Sequence, residues 1–441
     1  MNSLALRGIW ITKGDSSLLL AKQGALDFMS DSVQLPLITV DTSRKFQTML
    51  GFGYTLTGGS AELINKMPAD QKKSLLHELF SANENQVSYL RISIGASDLS
   101  SEVFTYDDLP LGETDPKLLR FSLQKEEKDL IPILKAILAI NSSVKFMGSP
   151  WTAPSWMKTN NDSKGGKLKP EFYKVYADYL VKYIQEMEAR GIPIDAITPQ
   201  NEPLNPKNNP SMEMLPEEQR DFVKNYLGPA FSIANIKTKI IVYDHNADRI
   251  DYPLTVLNDP EAKKYVSGSA FHLYGGEIDS ISKVKEAHPD KDIYFTEQYT
   301  ASTGKFNGDL SWHIKNVIIG ASRNWCRTVL EWNLANSPEF GPFTPGGCTT
   351  CKGALSIGDK INRNVSYYII AHASKFIPPG SVRIQSDMSD NLYNVAFLTP
   401  DGRIVMIVLN DSDTAQKFSI RYNYGIAVTS LYAHSVATYV W

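Results

Sequence analysis

This sequence of 441 residues has only a small excess of charge of one sign, and it has few long apolar runs. It carries 45 Lys and Arg against 48 Asp and Glu, a formal net charge of −3. A nucleic acid or an anionic membrane surface as the main partner would call for a basic excess, so this balance argues against both. No stretch of about 18 uncharged apolar residues occurs, and we therefore predict no membrane-spanning helix.

Cysteine is also rare, and three residues are too few for a disulfide framework. Cys348 and Cys351 stand in a Cys-Thr-Thr-Cys stretch within a loop rich in Gly, Thr and Pro. A zinc site needs a second pair of ligands nearby, and a redox motif favours the N-terminus of a helix; neither is visible here. We interpret these two as loop cysteines, leave their pairing open, and expect Cys326 to be a core residue.

The N-terminal stretch Met1–Lys13 lacks the features of a secretory signal. Arg7 and Gly8 interrupt its apolar runs, and no small-residue cleavage site follows. Two localisations therefore stay open. The protein is cytoplasmic, or it is secreted, periplasmic or on the cell surface after removal of a signal peptide that preceded this sequence.

The length fits a (β/α)8 barrel with a smaller second domain better than one ordinary compact domain. Between about residues 45 and 375, β-rich runs alternate with amphipathic helical stretches, the pattern of a βα-repeating fold. Eight strands are predicted, at Gly51–Leu56, Val87–Ile94, Val144–Trp151, Asp195–Glu202, Lys239–Asn246, Gly268–Gly275, Asp292–Tyr299 and Thr328–Leu334. Helices are predicted among others at Glu127–Ile140, Glu171–Arg190 and Pro216–Phe231. We predict an α/β fold with a closed (β/α)8 TIM barrel over residues 44–378.

Both ends of the chain have a different pattern. Residues 379–441 lack helical periodicity and contain short β-rich runs, with Asp401-Gly402 as a hairpin turn. Residues 1–43 are also predicted to be extended. An all-β side domain, a β-sandwich built from both termini beside the barrel, accounts for both segments.

Two glutamates end predicted barrel strands. Glu202 closes the fourth strand inside Asn-Glu-Pro, and Glu297 follows the apolar part of the seventh. An unpaired carboxylate inside the core is costly, whereas the carboxyl ends of barrel strands face a polar cleft. Glycoside hydrolysis needs two such carboxyl groups, one protonated and one ionised. The alternative for either glutamate alone is an ion-paired structural residue, and two on these strands make that alternative weak.

Motifs along nearly the whole chain resemble glycoside hydrolase family 30, the glucosylceramidase-like family. They begin at Gly51-Phe-Gly53, Leu90-Arg-Ile-Ser-Ile-Gly-Ala-Ser-Asp98, the stretch Ser149–Asn160 and Gln200-Asn-Glu-Pro203. They continue with Phe271-His-Leu-Tyr274, Thr296-Glu297, Glu331-Trp-Asn-Leu334 and His372-Ala-Ser-Lys375. Each motif alone is weak evidence for the family, but the occurrence of all of them in the order that the family has is specific evidence.

The resemblance implies a retaining β-glycosidase in which Glu202 is the acid/base and Glu297 the nucleophile. Asn201 is similar to the asparagine that binds the sugar 2-hydroxyl, and Arg91 to the arginine beside the nucleophile. A salt bridge with a purely structural effect is the alternative for Arg91. The remaining implied substrate contacts are Asp98, Trp151 and Trp332 around the terminal sugar, and His272 and Tyr274 near the nucleophile. Core packing is the alternative for each tryptophan, and a structural role is the alternative for His272.

The motifs around Gly53–Gly59 and Glu297–Tyr299 look most like the bacterial β-1,6-glucanase branch of the family. The expected substrate is accordingly a β-glucan, with endo-acting cleavage of β-1,6 bonds, or a β-glucoside. An exo-acting glucosylceramidase or β-glucosidase is the nearest alternative, and an inactive carbohydrate-binding protein is the alternative from another class. Tyr54, Tyr299 and Phe343 line an open cleft or serve as packing residues, and the loop Asn205–Met214 is expected to shape the leaving-group side.

No metal or cofactor is expected. The sequence has no Gly-rich phosphate loop, and His272, Asp98 and the glutamates show no ligand spacing. The oligomeric state does not follow from the sequence, and a monomer is favoured.

Overall fold

The computed structural model describes residues 5–6, 8–29 and 34–441 of the chain. Parts of the predicted N-terminal segment 1–43, namely residues 1–4, 7 and 30–33, lie outside the described residues. Within the described ranges, no helix is both long enough and apolar enough to cross a membrane.

Eight parallel strands close into a barrel, as the sequence predicts. In chain order they are β1 Gly51–Thr55, β2 Tyr89–Ile94, β3 Lys145–Pro150, β4 Ala196–Ile197, β5 Lys239–Asn246, β6 Val266–His272, β7 Asp292–Glu297 and β8 Cys326–Asn333. Each strand pairs with its sequence neighbour, and β8 returns to pair with β1. The barrel interior is filled by one buried residue from each of seven strands: Tyr89, Met147, Ala196, Ile241, Ala270, Tyr294 and Leu330. These packed side chains close the interior of the barrel, so the solvent-accessible part lies at the ends of the strands.

Helices surround the barrel. The α-helices span Gly58–Lys66, Ala69–Phe80, Leu130–Ile140, Tyr173–Ala189, Pro216–Phe222, Gly228–Ile233, Asp251–Leu257, Pro260–Lys263, Ser282–Ala287, Phe306–His313 and Val365–Ser374. Short 3₁₀ turns lie at Ser155–Met157, Pro170–Phe172 and Ile278–Ile281, and π-helical turns at Val223–Leu227 and Ile314–Ala321. The predicted continuous helix Pro216–Phe231 is therefore interrupted by a π-helical segment.

The fourth strand is much shorter than predicted. It was expected to run from Asp195 to Glu202, but the ladder ends at Ile197. Pro199 has no N–H to donate, so the chain cannot extend the ladder through it. Asn201 still donates its N–H to the carbonyl of Pro150, at 2.8 Å, and the loop thus continues along β3 as far as Asn201.

The termini form a separate nine-stranded sheet. Its strands, in spatial order, are Gly425–Leu431, Gln416–Tyr422, Leu37–Thr48, Val382–Ser386, Leu392–Leu398, Ile404–Asn410, Ser435–Val440, Gly8–Lys13 and Ala21–Gln23. Smaller ladders involve Ala5–Leu6 with Leu26–Asp27, Thr300–Ala301 with Cys351–Lys352, and Ala335–Asn336 with Leu355–Ile357 and Ile361–Arg363. The prediction of a barrel beside an all-β unit built from both termini is confirmed.

His372 joins the barrel to this sheet. It lies on the last barrel helix, is fully buried, and contacts Thr438 Oγ1 through Nδ1 and Thr12 Oγ1 through Nε2, both at 2.8 Å. Nearby, Phe52 of β1 meets Phe397 of the sheet edge to face, with ring centroids 6.3 Å apart. The barrel and the sheet therefore share one buried core, in which His372 is a polar link.

Burial lowers the pKa of His372 from 6.5 to about 3, so the folded protein holds this ring neutral. An unfolded chain binds a proton there below pH 6.5, and stability is therefore lost as the pH falls from 6.5 toward the folded-state pKa. The slope from this group is at most about 1.4 kcal/mol per pH unit.

We expect His372→Ala to destabilise the protein by about 2 kcal/mol or more at pH 7, because it leaves a cavity and removes the hydrogen bonds that the imidazole makes with two threonine hydroxyls. Thermal melts at pH 7 and pH 5 should also show a weaker loss of stability with acid than in the wild type. His77→Ala, on the exposed face of a surface helix, is the control. An unchanged pH dependence in His372→Ala would contradict the prediction.

Candidate active site

A cavity of about 790 Å³ opens at the carboxyl-terminal ends of the barrel strands. Of the nine predicted site residues, seven line it: Asp98, Trp151, Asn201, Glu202, Tyr274, Glu297 and Trp332. The other two, Arg91 and His272, are fully buried and contact the glutamates directly. The structure thus brings all nine together.

Glu202 is held by its loop and by two side chains. Its backbone has φ = 44°, a left-handed conformation that is unfavourable for a residue other than glycine. Its N–H donates to the carbonyl of Asp244 at 3.0 Å, which fixes this turn. The carboxylate accepts from Asn205 Nδ2 at 2.7 Å and faces His272 Nδ1 at 3.2 Å. One carboxylate oxygen is therefore paired with the imidazole and the other with an amide.

Glu297 is the last residue of β7 and has a different environment. Its Oε2 forms an ion pair with Arg91 Nη1 at 2.7 Å, and its Oε1 accepts a hydrogen bond from the Tyr274 hydroxyl at 2.9 Å. Carboxylate oxygens of Glu202 and Glu297 lie within 4.8 Å of each other. Retaining glycosidases place their two carboxyl groups about 5 to 5.5 Å apart, whereas inverting enzymes need a gap of about 6.5 Å or more. The short gap fits retention.

Arg91, on β2, connects four acceptors, one of which is Ser149 Oγ at 3.2 Å. Besides Glu297, its guanidinium donates to Asp244 Oδ2 at 2.7 Å and to Asn201 Oδ1 at 2.5 Å. Its planar group also lies 4.8 Å from the ring centroid of Trp151. The rigid fork of an arginine suits such multiple contacts, which a lysine could not make.

Asp244, at the end of β5, is a site residue that the sequence analysis missed. Its Oδ1 contacts His272 Nε2 at 2.9 Å and accepts from Thr296 Oγ1 at 2.7 Å, while Oδ2 accepts from Arg91 and from Thr198 Oγ1. These contacts and the positive charge of Arg91 hold the pKa of Asp244 well below its usual value despite full burial. A polar Tyr-Asp-His ending to an apolar strand was the available signal, of the same kind that identified the glutamates.

The protonation of the site follows from these contacts. Burial alone lowers the pKa of His272, but the charge of Glu297 and the contacts with Asp244 and Glu202 raise it to about 9. Burial raises the pKa of Glu202, yet the hydrogen bond and charge of His272 lower it to about 2. Burial also raises the pKa of Glu297, against the opposing charges of His272 and Arg91. The proton shared by Glu202 and His272 therefore lies on the imidazole.

Glu202, His272 and Glu297 form a cluster that the sequence spacing did not reveal. One nitrogen or oxygen atom of each lies within 4.8 Å of the others, a spacing that can hold a metal ion. Both ring nitrogens of His272 face carboxylate oxygens, and its raised pKa keeps both protonated. A doubly protonated imidazole has no lone pair for a metal, so we interpret the cluster as a proton-sharing group.

The inner wall of the cavity is aromatic with one acid. Trp151 and Trp332 stack with ring centroids 5.5 Å apart and an interplanar angle of 28°. Asp98 is buried beside them and accepts a hydrogen bond from the backbone N–H of Cys348 at 3.2 Å. Burial and the charge of Glu297 raise the pKa of Asp98 to about 7. Flat rings next to a carboxylate suit a sugar, which presents apolar C–H faces and a rim of hydroxyls.

The outer wall of the cavity lies on the same side as Glu202. Part of the loop that was expected to shape the leaving-group side lines it, at residues 205–208, together with Asn246, Asp248 and Arg249. Tyr299 also lines the cavity, with its ring 5.4 Å from that of Tyr274.

Two of the three proposed cleft aromatics lie elsewhere. Tyr54 is buried in the core, and its hydroxyl donates to the backbone carbonyl of Ser366 at 3.1 Å. Phe343 is exposed but does not line the cavity. Cys348 and Cys351, left open by the sequence, form a disulfide at the cavity rim, and Cys326 is buried in the core.

Comparison with known proteins covers nearly the whole chain. The glycosyl hydrolase family 30 TIM-barrel domain matches residues 49–377, and the family 30 beta sandwich domain matches residues 380–439. The endo-1,6-beta-D-glucanase BGN16.3 of Trichoderma harzianum is 35% identical over 395 residues, 84% of this chain and 79% of that protein. The lysosomal acid glucosylceramidase of Mus musculus is 31% identical over 437 residues, 92% of this chain and 83% of that protein.

A solved structure, the endo-beta1,6-glucanase BT3312, superposes with a TM-score of 0.90 at 35% sequence identity. The match covers 98% of each chain.

The raised pKa of His272 is open to direct measurement. We expect Asp244→Asn to lower it from about 9 toward 6.5, because the imidazolium loses one of its anionic partners. Side-chain ¹H–¹⁵N spectra recorded across pH 5 to 10 on ¹⁵N-histidine protein would report the titration. Asp248→Asn, in the same cavity but without a contact to the ring, should change it far less. A His272 titration that is the same in Asp244→Asn and in the wild type would contradict this account.

Proposed function

The chain belongs to glycosyl hydrolase family 30, and from that membership we propose that it cleaves β-1,6-glucan internally with retention of anomeric configuration. Glu202 is the acid/base and Glu297 the nucleophile in this proposal. The observation that carries it is the pair of carboxylates, with oxygens within 4.8 Å, in one cavity, with Glu202 in the loop after β4 and Glu297 at the end of β7. Arg91 is paired with one of them and His272 with the other.

The substrate assignment is supported by the relatives. BGN16.3 and BT3312 are both endo-1,6-glucanases, and each resembles this chain over most of its length. The cavity is also consistent with a chain substrate, because polar side chains continue past Glu202 on its outer wall.

The first step is attack by Glu297 on the anomeric carbon. The ion pair with Arg91 and the hydrogen bond from Tyr274 orient the carboxylate and favour its ionised form against the cost of burial. Asn201, held by Arg91, is oriented toward the cavity, where its amide can donate to the sugar 2-hydroxyl. Such a contact strengthens in the oxocarbenium-like transition state.

The leaving oxygen needs a proton from Glu202. That proton lies on His272 Nδ1, 3.2 Å from Glu202 Oε1. Its transfer to Glu202 creates the acid without any change in the net charge of the site. The charge of Glu297 is what chiefly raises the pKa of His272, and it disappears when Glu297 forms the glycosyl bond. The proton is therefore held less tightly by His272 as the reaction proceeds.

The second step is hydrolysis of the glycosyl-enzyme. Glu202, now ionised, removes a proton from water, and the water oxygen attacks the anomeric carbon on the face that the leaving group has vacated. The bond to Glu297 breaks, and Arg91 stabilises the carboxylate that is released. The two inversions together retain the β configuration.

A glucosylceramide or a simple β-glucoside is the second candidate substrate. The mouse glucosylceramidase resembles 92% of this chain, so the same catalytic pair is compatible with a lipid aglycone. Tyr274 and Tyr299 at the rim supply apolar surface on which such an aglycone could pack.

Product analysis tests the substrate. Incubation with β-1,6-glucan should release short β-1,6 oligosaccharides of several lengths, with reducing ends that are initially β by ¹H NMR. Release of glucose alone would contradict internal cleavage, and initially α products would contradict retention. Activity limited to glucosylceramide or an aryl β-glucoside would contradict the glucanase assignment but not the catalytic pair.

Substitution of the two glutamates tests their roles. Glu297→Gln should lose at least about 10³-fold in kcat, because it removes the nucleophile. With an activated aryl β-glucoside, Glu202→Ala should lose about 10² to 10⁴-fold and recover part of this with azide, which attacks without a general base and gives a β-glucosyl azide. Glu277→Gln, an exposed glutamate in the loop after β6, should retain wild-type rates. No azide product from Glu202→Ala would contradict its assignment as the acid/base.

A further inference from the structure

The loop that contains Cys348 and Cys351 forms part of the cavity wall. Gly346, Gly347 and both cysteines line the cavity, and the disulfide closes the short Cys-Thr-Thr-Cys segment. Cys351 is buried against Leu99, Trp151 and Trp332. Cys348 is partly exposed at the rim. The disulfide therefore lies between the solvent and the inner wall of the cavity, which Trp151, Trp332 and Asp98 form.

The N-terminal part of this loop is hydrogen-bonded to Asp98. The N–H of Cys348 donates to Asp98 Oδ2 at 3.2 Å, and the N–H of Thr344 donates to the Asp98 carbonyl at 2.9 Å. A Cβ atom at Gly347 would lie 2.4 Å from that same carbonyl, so only glycine allows this approach. Cys348 and Asp98 are thus fixed relative to each other by the backbone as well as by the side chain.

The other end is attached to the segment that follows the nucleophile. Cys351 pairs with Ala301 in a short antiparallel ladder, and the N–H of Ser302 donates to the carbonyl of Thr350 at 2.8 Å. The residues concerned come only a few positions after Glu297. The disulfide therefore lies between the part of the loop that is hydrogen-bonded to Asp98 and the part that pairs with the segment after β7. It is next to Trp151 and Trp332.

We propose that the Cys348–Cys351 disulfide positions Asp98 for sugar binding, so that its reduction weakens the affinity of the cavity for a glucosyl unit. This inference rests on the proposed function for the identity of the sugar. Without the disulfide, the segment 348–351 keeps its hydrogen bonds at either end but has no covalent restraint across it, so the N–H of Cys348 is less firmly fixed against the Asp98 carboxylate. Loss of that N–H also favours protonation of Asp98, because the N–H opposes the effects of burial and of Glu297.

The chemical step is a thiol–disulfide exchange with a dithiol reductant. A thiolate of the dithiol attacks the partly exposed Cys348 sulfur, the sulfur–sulfur bond breaks, and Cys351 leaves as a thiolate. The second thiol of the reductant then displaces Cys348. The protein gains two electrons and two protons and ends with two thiols, and the reductant ends as a cyclic disulfide.

The test is binding of 1-deoxynojirimycin, a glucose-shaped iminosugar, measured by titration calorimetry on oxidised and dithiothreitol-reduced protein. Thiol titration must show two additional thiols after reduction, and circular dichroism must show that the fold persists. We expect the Kd of 1-deoxynojirimycin to rise about tenfold on reduction. A change of this size corresponds to the loss of one hydrogen bond to a charged group. The double variant Cys348→Ser/Cys351→Ser should bind like the reduced protein and should not respond to the reductant.

A coupling measurement separates positioning of Asp98 from a general loosening of the loop. In Asp98→Asn, reduction should change Kd less than twofold, because the group that the loop positions is already altered. With the substrate that the wild type hydrolyses, KM should rise about tenfold on reduction, while kcat changes less than threefold.

Three results would overturn the inference. They are an unchanged Kd after complete reduction, an equal effect of reduction in Asp98→Asn, and no binding of the iminosugar by the oxidised protein. Failure to cleave β-1,6-glucan would count against the proposed function and would leave the redox dependence of Kd intact.

Discussion

The catalytic end of this barrel depends on one buried cation. Arg91 has no exposed surface, and its guanidinium reaches Glu297 on β7, Asp244 on β5, Asn201 beyond β4 and Ser149 Oγ on β3. A buried charge of this kind is tolerated only when its partners are all in place, and removing one side of such a pair costs about 3 to 5 kcal/mol. The arginine therefore fixes four strand ends relative to one another, and the two glutamates take their positions from that arrangement.

The same arrangement gives two chemically identical side chains different properties. Glu297 faces a cation that cannot lose its proton, together with a tyrosine hydroxyl, whereas Glu202 faces an imidazole that can give up its proton. One carboxylate is suited to remaining ionised, and the other to exchanging a proton with its neighbour. Asp244 links the two environments, since it contacts Arg91 through one oxygen and His272 through the other. Without that carboxylate, two buried cations would share the site with less negative charge to balance them.

The fold and the two glutamates followed from local patterns in the sequence, whereas the other seven predicted site residues followed from the resemblance to glycoside hydrolase family 30. Apolar runs that end in polar residues identify barrel strands and their open ends, and the predicted barrel with its side domain is confirmed. Asp244 was missed because its importance arises only when Arg91 and His272 meet it from other strands. Strand β4 was predicted too long, although Pro199 was a visible signal. The pairing of Cys348 with Cys351 depends on the path of an irregular loop, for which the sequence contains no periodic pattern.

This division between strand ends and loops bears on how one family includes both glucanases and glucosylceramidases. The groups proposed to act on the scissile bond are fixed by buried charges, and a change there would leave a charge without its partner. The rim is made of loops, including residues 205–208, Tyr299 and the disulfide segment, whose contacts to the core are backbone hydrogen bonds and a few side chains. Loops of this kind tolerate change while the scaffold stays the same. Substrate preference can therefore change at the rim without disturbing the glutamates, and the side chains that separate one β-glucoside from another are to be sought there rather than around Arg91.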